Sequence, residues 1–358
     1  MTLKGDTAFI TQTDMAGLLD MIGEKEKVYA PQTVQGCDGT DLYPYSLRTQ
    51  GQEYLFFGYR PSQPVKMFLF SGRMKVAEYP SNEGMETPFQ AQPITIAGAA
   101  ACDIESIRSL DVIFLQDTFT DIFYREKRSK TFIISADCTE PRDTCLCTRA
   151  GIRPYALSGF DLNLSKVSGG YIIEAGSDKG AAVMERYASL CKVATPGQMA
   201  ERETARKEAT QKVEEINKDY SISRSRRELL AAMRASEQWF EHVSTCVDCA
   251  ACLFSCPTCH CFLLSDQKGD AGKYLRQKAW DSCSYAGYSR MAGGSSPRLG
   301  LLERFRHRYL HKFEYYPVNF GFEACSGCGR CIEGCMGKID MRKVFTALDR
   351  ELQGAEAR

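Results

Sequence analysis

Cysteine spacing constrains this chain more than any other property. Residues 246–261 read CVDCAACLFSCPTCHC, and Cys246, Cys249, Cys252 and Cys256 follow a C-x2-C-x2-C-x3-C-P spacing. Cys325, Cys328, Cys331 and Cys335 repeat it, with Met336 in place of the proline. Three thiolates spaced this closely wrap three corners of one [4Fe–4S] cube, and the fourth points away to ligate a neighbouring cube. The spacing therefore assigns Cys246, Cys249, Cys252 and Cys335 to one cluster, and Cys325, Cys328, Cys331 and Cys256 to a second. Neither array completes its cluster alone, so any fold of this chain must bring the two segments together. The competing reading is a pair of zinc sites, which use C-x2-C pairs but give no reason for two successive C-x2-C steps plus a fourth cysteine, twice.

The chain has 17 cysteines in 358 residues, and most of them stand two to four residues apart. That clustering favours metal ligation over disulfides, which typify small secreted domains. Formal net charge is zero, which removes any bulk electrostatic case for nucleic acid or an anionic membrane. The N-terminus MTLKGDTAFITQTDMAGL lacks the basic start and apolar run of a signal peptide. No stretch approaches the roughly 20 apolar residues that span a bilayer. The expectation is a cytoplasmic protein without a membrane span.

The pattern along the chain predicts an α+β protein in three parts. Residues 1–195 read as an α/β domain. A helix is expected over 13–27, capped by Thr13 or Asp14, with Leu18, Leu19 and Ile22 on its apolar face. Strands are expected at EYLFFGY, VKMFLFSG, TFIISAD and GYIIEAGS. ACDIESIRSLDVIFLQ reads as a helix passing into an extended end. Residues 196–242 form a charged helical connector, with Glu203–Lys207, Glu208–Lys212 and Glu214–Lys218 as i,i+4 pairs. Residues 243–358 form an α-helical ferredoxin-like domain. The 68 residues between Cys256 and Cys325 include RLGLLERFRHRYLHKF, whose apolar residues recur at helical spacing.

Further cysteines remain. Cys102, Cys138, Cys145 and Cys147 come from two segments and make one complete set of four, which predicts a third [4Fe–4S] site, with zinc or a reactive dithiol as alternatives. Cys37 and Cys191 stand alone and read as small buried apolar residues. Cys259 and Cys261 are surplus, with Cys283 as a third member of the group: packed thiols beside a cluster, or, for Cys259 or Cys261, a substitute for an assigned ligand. His260, His307 and His311 read as packed or solvated rings. The basic set Arg304, Arg306, His307, Arg308 and Lys312 reads as a docking surface or as cations that stabilise reduced, anionic clusters. No GxGxxG follows a predicted strand, so no Rossmann-type dinucleotide site is expected.

The motifs KVYAP, ACDIESIRSLDVIFL, CTEPRDTCLC, GFDLNL, YIIEAGSDKG, CPTCHCF, WDSCSYAGYSRMAGG, RFRHRYLHKF and CSGCGRC run through most of the chain. Together they resemble the 4Fe–4S dicluster family that includes the β subunit of sulfhydrogenases and the electron-transfer subunit of anaerobic sulfite reductase. Two departures stand out: AACD where the family has RPCD, and CMGKID where it has a CP pattern. The resemblance implies an electron-transfer subunit that catalyses no bond-making itself. Its implied partners are a catalytic oxidoreductase subunit, of hydrogenase, sulfite reductase or heterodisulfide reductase type, and a flavin- and NAD(P)-binding subunit. The alternatives are a cluster- or thiol-based reductase acting on a sulfur substrate, and a structural zinc adaptor.

Overall fold

The structure is a computed structural model that describes residues 7–36, 41–54, 56, 58–80 and 89–357. Cys37 and parts of EYLFFGY lie outside the described residues. The chain divides into two compact units. The first comprises residues 1–69, 89–216 and 326–328; the second comprises 70–88, 217–325 and 329–358. The fold is mixed α+β. Among the described residues no helix is long and apolar enough to cross a membrane.

The first unit is built on an eight-stranded sheet. Its strands run in the spatial order Cys191–Lys192, Thr7–Thr11, Gly170–Ala175, Leu162–Val167, Thr131–Ala136, Ile94–Ala100, Lys27–Pro31 and Tyr45–Leu47. Four neighbours, from Lys27–Pro31 to Leu162–Val167, pair in parallel. Parallel neighbours need crossovers, which are usually helical. Helices Ala101–Phe114 and Ile122–Lys130 supply the one between Ile94–Ala100 and Thr131–Ala136. Ile94–Ala100 is buried along six of its seven residues, as expected of a strand covered on both faces.

Several expectations are adjusted. The first helix spans Gln12–Gly23 and is capped by Thr11, whose hydroxyl accepts from the Asp14 amide at 3.1 Å. Asp14 takes the third position of that helix, where its carboxylate accepts from the Thr11 hydroxyl at 2.6 Å. VKMFLFSG is no strand; Lys66–Leu69 is a short helix, started by turns onto the Pro64 and Val65 carbonyls. A short continuous apolar run carries no periodicity to distinguish the two. The helix from Ala101 continues to Phe114 without an extended end. The described residues of EYLFFGY are irregular.

Helix Pro196–Ile216 belongs to the first unit. Its Ala209 and Val213 are buried, as is Arg206. The Arg206 guanidinium donates to Asp137 at 2.7 Å, to Ser165 at 3.3 Å, and stacks over Tyr155.

The second unit packs helices Arg226–Ala232, Gln238–Val243, Leu301–Leu310 and Met341–Glu356. Trp239, Tyr309, Phe313 and Phe345 form its aromatic core, with the Trp239 and Tyr309 rings 5.3 Å apart and those of Phe313 and Phe345 5.0 Å apart. A π-helical stretch, His311–Tyr315, extends Leu301–Leu310. This unit also holds a three-stranded antiparallel sheet of Phe262–Lys268, Tyr274–Trp280 and Arg73–Tyr79, which the sequence pattern does not announce.

Candidate iron–sulfur sites

None of the sixteen described cysteines is in a disulfide. In the second unit Cys246, Cys249, Cys252 and Cys335 line one cavity, as their spacing proposes, and Cys331 joins them. Helix Leu301–Leu310 closes the cavity through Arg304, Phe305 and Arg308. The first array is held by two left-handed residues, Asp248 and Ala250, with φ of 53° and 57°. Such conformations are costly for residues other than glycine and gather at functional sites. Arg304 fixes the loop: it donates to Asp248 at 3.1 Å and to the Leu299 carbonyl at 2.6 Å.

Charge in this unit is arranged around sulfur. Arg304, Arg308 and Lys312 recur every fourth residue, and all three are buried. The Lys312 Nζ donates to Thr258 Oγ1 and the Ala324 carbonyl at 2.9 Å each, and lies 3.3 Å from the Cys256 sulfur. Burial opposes its charge, but Cys256, Cys259 and Cys325 outweigh burial and drive its pKa up. Burial likewise opposes charge on Arg308, and Cys252, Cys331 and Cys259 overcome it. The Arg308 Nε is buried with no hydrogen-bond partner among the described residues. A buried donor left without an acceptor is costly. Its place among five thiols fits an anionic sulfur-bearing group in that cavity.

A second cavity in this unit is lined by Cys259, His260, Cys261, Cys283, Arg308, His311 and Lys312. The histidines are packed rings rather than a ligand set. His260 and His311 stand 5.9 Å apart, as do His307 and His311. Burial holds His307 down to about 4 and His311 to about 3, so both are neutral at pH 7.

The first unit carries its own cysteine cavity. It is lined by Cys102, Cys138, Cys145 and Cys147, the set that the sequence groups together, and by Cys328. The topology explains the meeting. Cys102 follows strand Ile94–Ala100 and Cys138 follows its parallel neighbour Thr131–Ala136, so both sit at strand carboxyl ends, where open α/β sheets bind ligands. Cys145 and Cys147 come from the loop beyond, which is tied down by the Leu146 amide donating to the Gly327 carbonyl at 2.8 Å. Gly327 has φ +62°, and a Cβ there would stand 2.5 Å from the Cys147 Cα. Only glycine fits this approach. Burial pushes the Cys147 thiol up to about 12 and raises Cys138 further.

Sequence spacing groups Cys256, Cys325, Cys328 and Cys331. Cys256 and Cys325 lie near Lys312, Cys331 lines the Cys246 cavity, and Cys328 belongs to the first unit, against Ala100 and Cys102. Sequence reasoning missed Arg60 and Arg153, which line the first unit's cavity and supply cations beside AACD. Cys191 is half-buried against the first unit's core. Among the described residues no three or more Cys, His, Asp or Glu side chains close on a single-ion position. Most of the thiols line the three cavities described above.

Cysteine-walled cavities with buried cations beside them define an iron–sulfur oxidoreductase component of the electron-transfer class. The 4Fe-4S dicluster domain pattern matches residues 245–339. Sulfhydrogenase 2 subunit beta of Pyrococcus furiosus is 30% identical over 283 residues, covering 79% of this chain and 81% of the relative. The chain belongs to the 4Fe–4S dicluster family that includes the β subunit of sulfhydrogenases.

Proposed function

We propose that the chain is the electron-relay subunit of a cytoplasmic complex, standing between a flavin- and NAD(P)H-oxidising partner and a catalytic oxidoreductase subunit. The relative's name supports membership of a multi-subunit assembly. Cys246, Cys249, Cys252 and Cys335 hold one cluster in this reading. The observation that carries it is their convergence on one cavity with the partnerless Nε of Arg308. Spacing assigns a second cluster to Cys325, Cys328, Cys331 and Cys256. Cys102, Cys138, Cys145 and Cys147 hold a third, with Cys328 as a neighbouring fifth thiol. When bound, such clusters each pass one electron at a potential set by burial, hydrogen bonds and charge. The chain's own contribution is to keep Lys312, Arg308 and Arg304 buried beside sulfur, which favours the reduced form.

The test is iron, acid-labile sulfide and paramagnetic resonance on the anaerobically purified full chain. The Cys145→Ser, Cys147→Ser double variant is expected to lose about four irons per chain and one reduced-cluster signal. Unchanged iron and spectra would remove the third cluster. Stoichiometric zinc with no iron would sink the electron-transfer reading as a whole. Subunits retained by a tagged chain from its native cell identify the complex.

A further inference from the structure

Three thiols of the second unit, Cys259, Cys261 and Cys283, have no place in the ligand sets above. Two of them are paired. Cys261 immediately precedes strand Phe262–Lys268, and Cys283 lies just beyond strand Tyr274–Trp280. The antiparallel ladder pairs Phe262 with Trp280, and the Asp281 amide donates to the Cys261 carbonyl at 3.0 Å, which carries the pairing past the strand ends. The register sets Asp281 opposite Cys261, and Cys283, two residues on, is a diagonal neighbour of Cys261 across the hairpin. Cys261 and Cys283 line one cavity, where Cys283 and the Tyr288 hydroxyl hold the Cys261 thiol below its ordinary range. Lys312 and Arg308 line the same cavity. Cys283 is 5% exposed, whereas Cys261 is half-buried beneath Tyr288, which is 38% exposed.

This arrangement fits thiol chemistry. A reactive cysteine sits in a partly exposed, electropositive pocket with donors on its sulfur. A disulfide needs its two Cβ atoms at about 3.8 Å, and both thiols line one cavity.

We propose that Cys261 and Cys283 form a redox-active dithiol that exchanges with low-molecular-weight disulfides. The Cys261 thiolate attacks one sulfur of R–S–S–R, forming a mixed disulfide and releasing R–S⁻, which takes up a proton. Cys283 loses its proton and attacks the Cys261 sulfur, forming the Cys261–Cys283 bond and releasing the second R–S⁻. The dithiol gives up two electrons and two protons, and the disulfide is reduced to two thiols. Cys261 is the attacking thiol because it is the accessible one, and the buried Cys283 resolves. The pairing does not depend on the cluster assignments.

The test treats the anaerobic full chain with oxidised glutathione, blocks remaining thiols by alkylation and maps peptides by mass spectrometry, with iron measured in parallel. A Cys261–Cys283 cross-link is expected, reversed by dithiothreitol, with iron content unchanged. Cys283→Ser is expected to trap glutathione on Cys261. If that variant does not fold, the wild-type cross-link decides alone. Two results overturn the proposal. One is alkylation of both thiols after oxidation, with iron retained. The other is loss of iron from Cys261→Ser, which makes Cys261 a cluster ligand. Either result leaves the electron-relay reading standing, because that reading fails only on iron and spectra.

Discussion

Lys312 is the residue on which charge, packing and sulfur chemistry meet. It is 4% exposed and remains protonated because thiols surround it, with two carbonyl or hydroxyl acceptors completing its shell. Replacing it with methionine keeps the volume and removes the charge. Lys312→Met is expected to lower the midpoint potential of the cluster nearest Cys256, since a cation favours the more negative, reduced state. It also removes the charge-assisted bonds to Thr258 and Ala324, which costs about 1.5–3 kcal/mol even though Thr258 still donates to the Ala324 carbonyl at 2.7 Å. Potentiometric titration followed by paramagnetic resonance reads the first effect and denaturant unfolding the second. A potential that rises or stays fixed would detach Lys312 from the cluster. The cysteines themselves are legible from spacing because their chemistry dictates it. The cations are half legible. Residues 304, 308 and 312 fall four apart, which puts them on one helical face, but the sequence does not show that this face is buried against sulfur.

At the level of elements, helix Pro196–Ile216 shows how a charged sequence hides a structural contact. Its glutamates and lysines alternate at i,i+4 spacing, and that pattern reads as solvated. Arg206 carries the same surface signature, yet it lies buried across Asp137, which Asn163 also holds at 3.0 Å. Strand-following Asp137 is thereby neutralised next to Cys138. Arg206→Ala leaves the Asp137 carboxylate buried and unpaired, which is expected to cost about 3–5 kcal/mol. Arg206→Ala with Asp137→Asn is expected to recover part of that loss, because the uncompensated charge is gone. Thermal unfolding of the three chains checks the order; equal stability of the single variant and wild type would show the pair to be idle. Strands such as Thr131–Ala136 and Gly170–Ala175 are readable from their apolar runs. Lys66–Leu69 is not, because four apolar-flanked residues can close a turn as readily as extend.

For the whole molecule, the sequence shows which cysteines belong together within a segment but only partly which segments meet. Cys102 and Cys138 meet because adjacent parallel strands end side by side, a consequence of topology that local pattern does not contain. Cys328 joins them from nearly two hundred residues away, and only the buried Gly327 approach reveals it. The two units also differ in what holds them. The first has an apolar core under its sheet, including Ile10, Leu19, Ile134 and Leu164. The second unit's arrays include Asp248 and Ala250 in left-handed conformations, which local propensity does not favour. Metal binding contributes folding free energy where ligands would otherwise not be ordered. Stripping iron with an oxidant and chelator is therefore expected to raise amide hydrogen exchange sharply over residues 245–261 and 329–340. Strands Ile94–Ala100 and Leu162–Val167 should keep their protection, because local opening follows the local contacts that are lost. Hydrogen-exchange mass spectrometry of the intact chain, before and after stripping, makes the comparison within one molecule. Uniform loss of protection would mean that the clusters hold the entire chain together; no change at the arrays would mean that the protein orders those loops without iron.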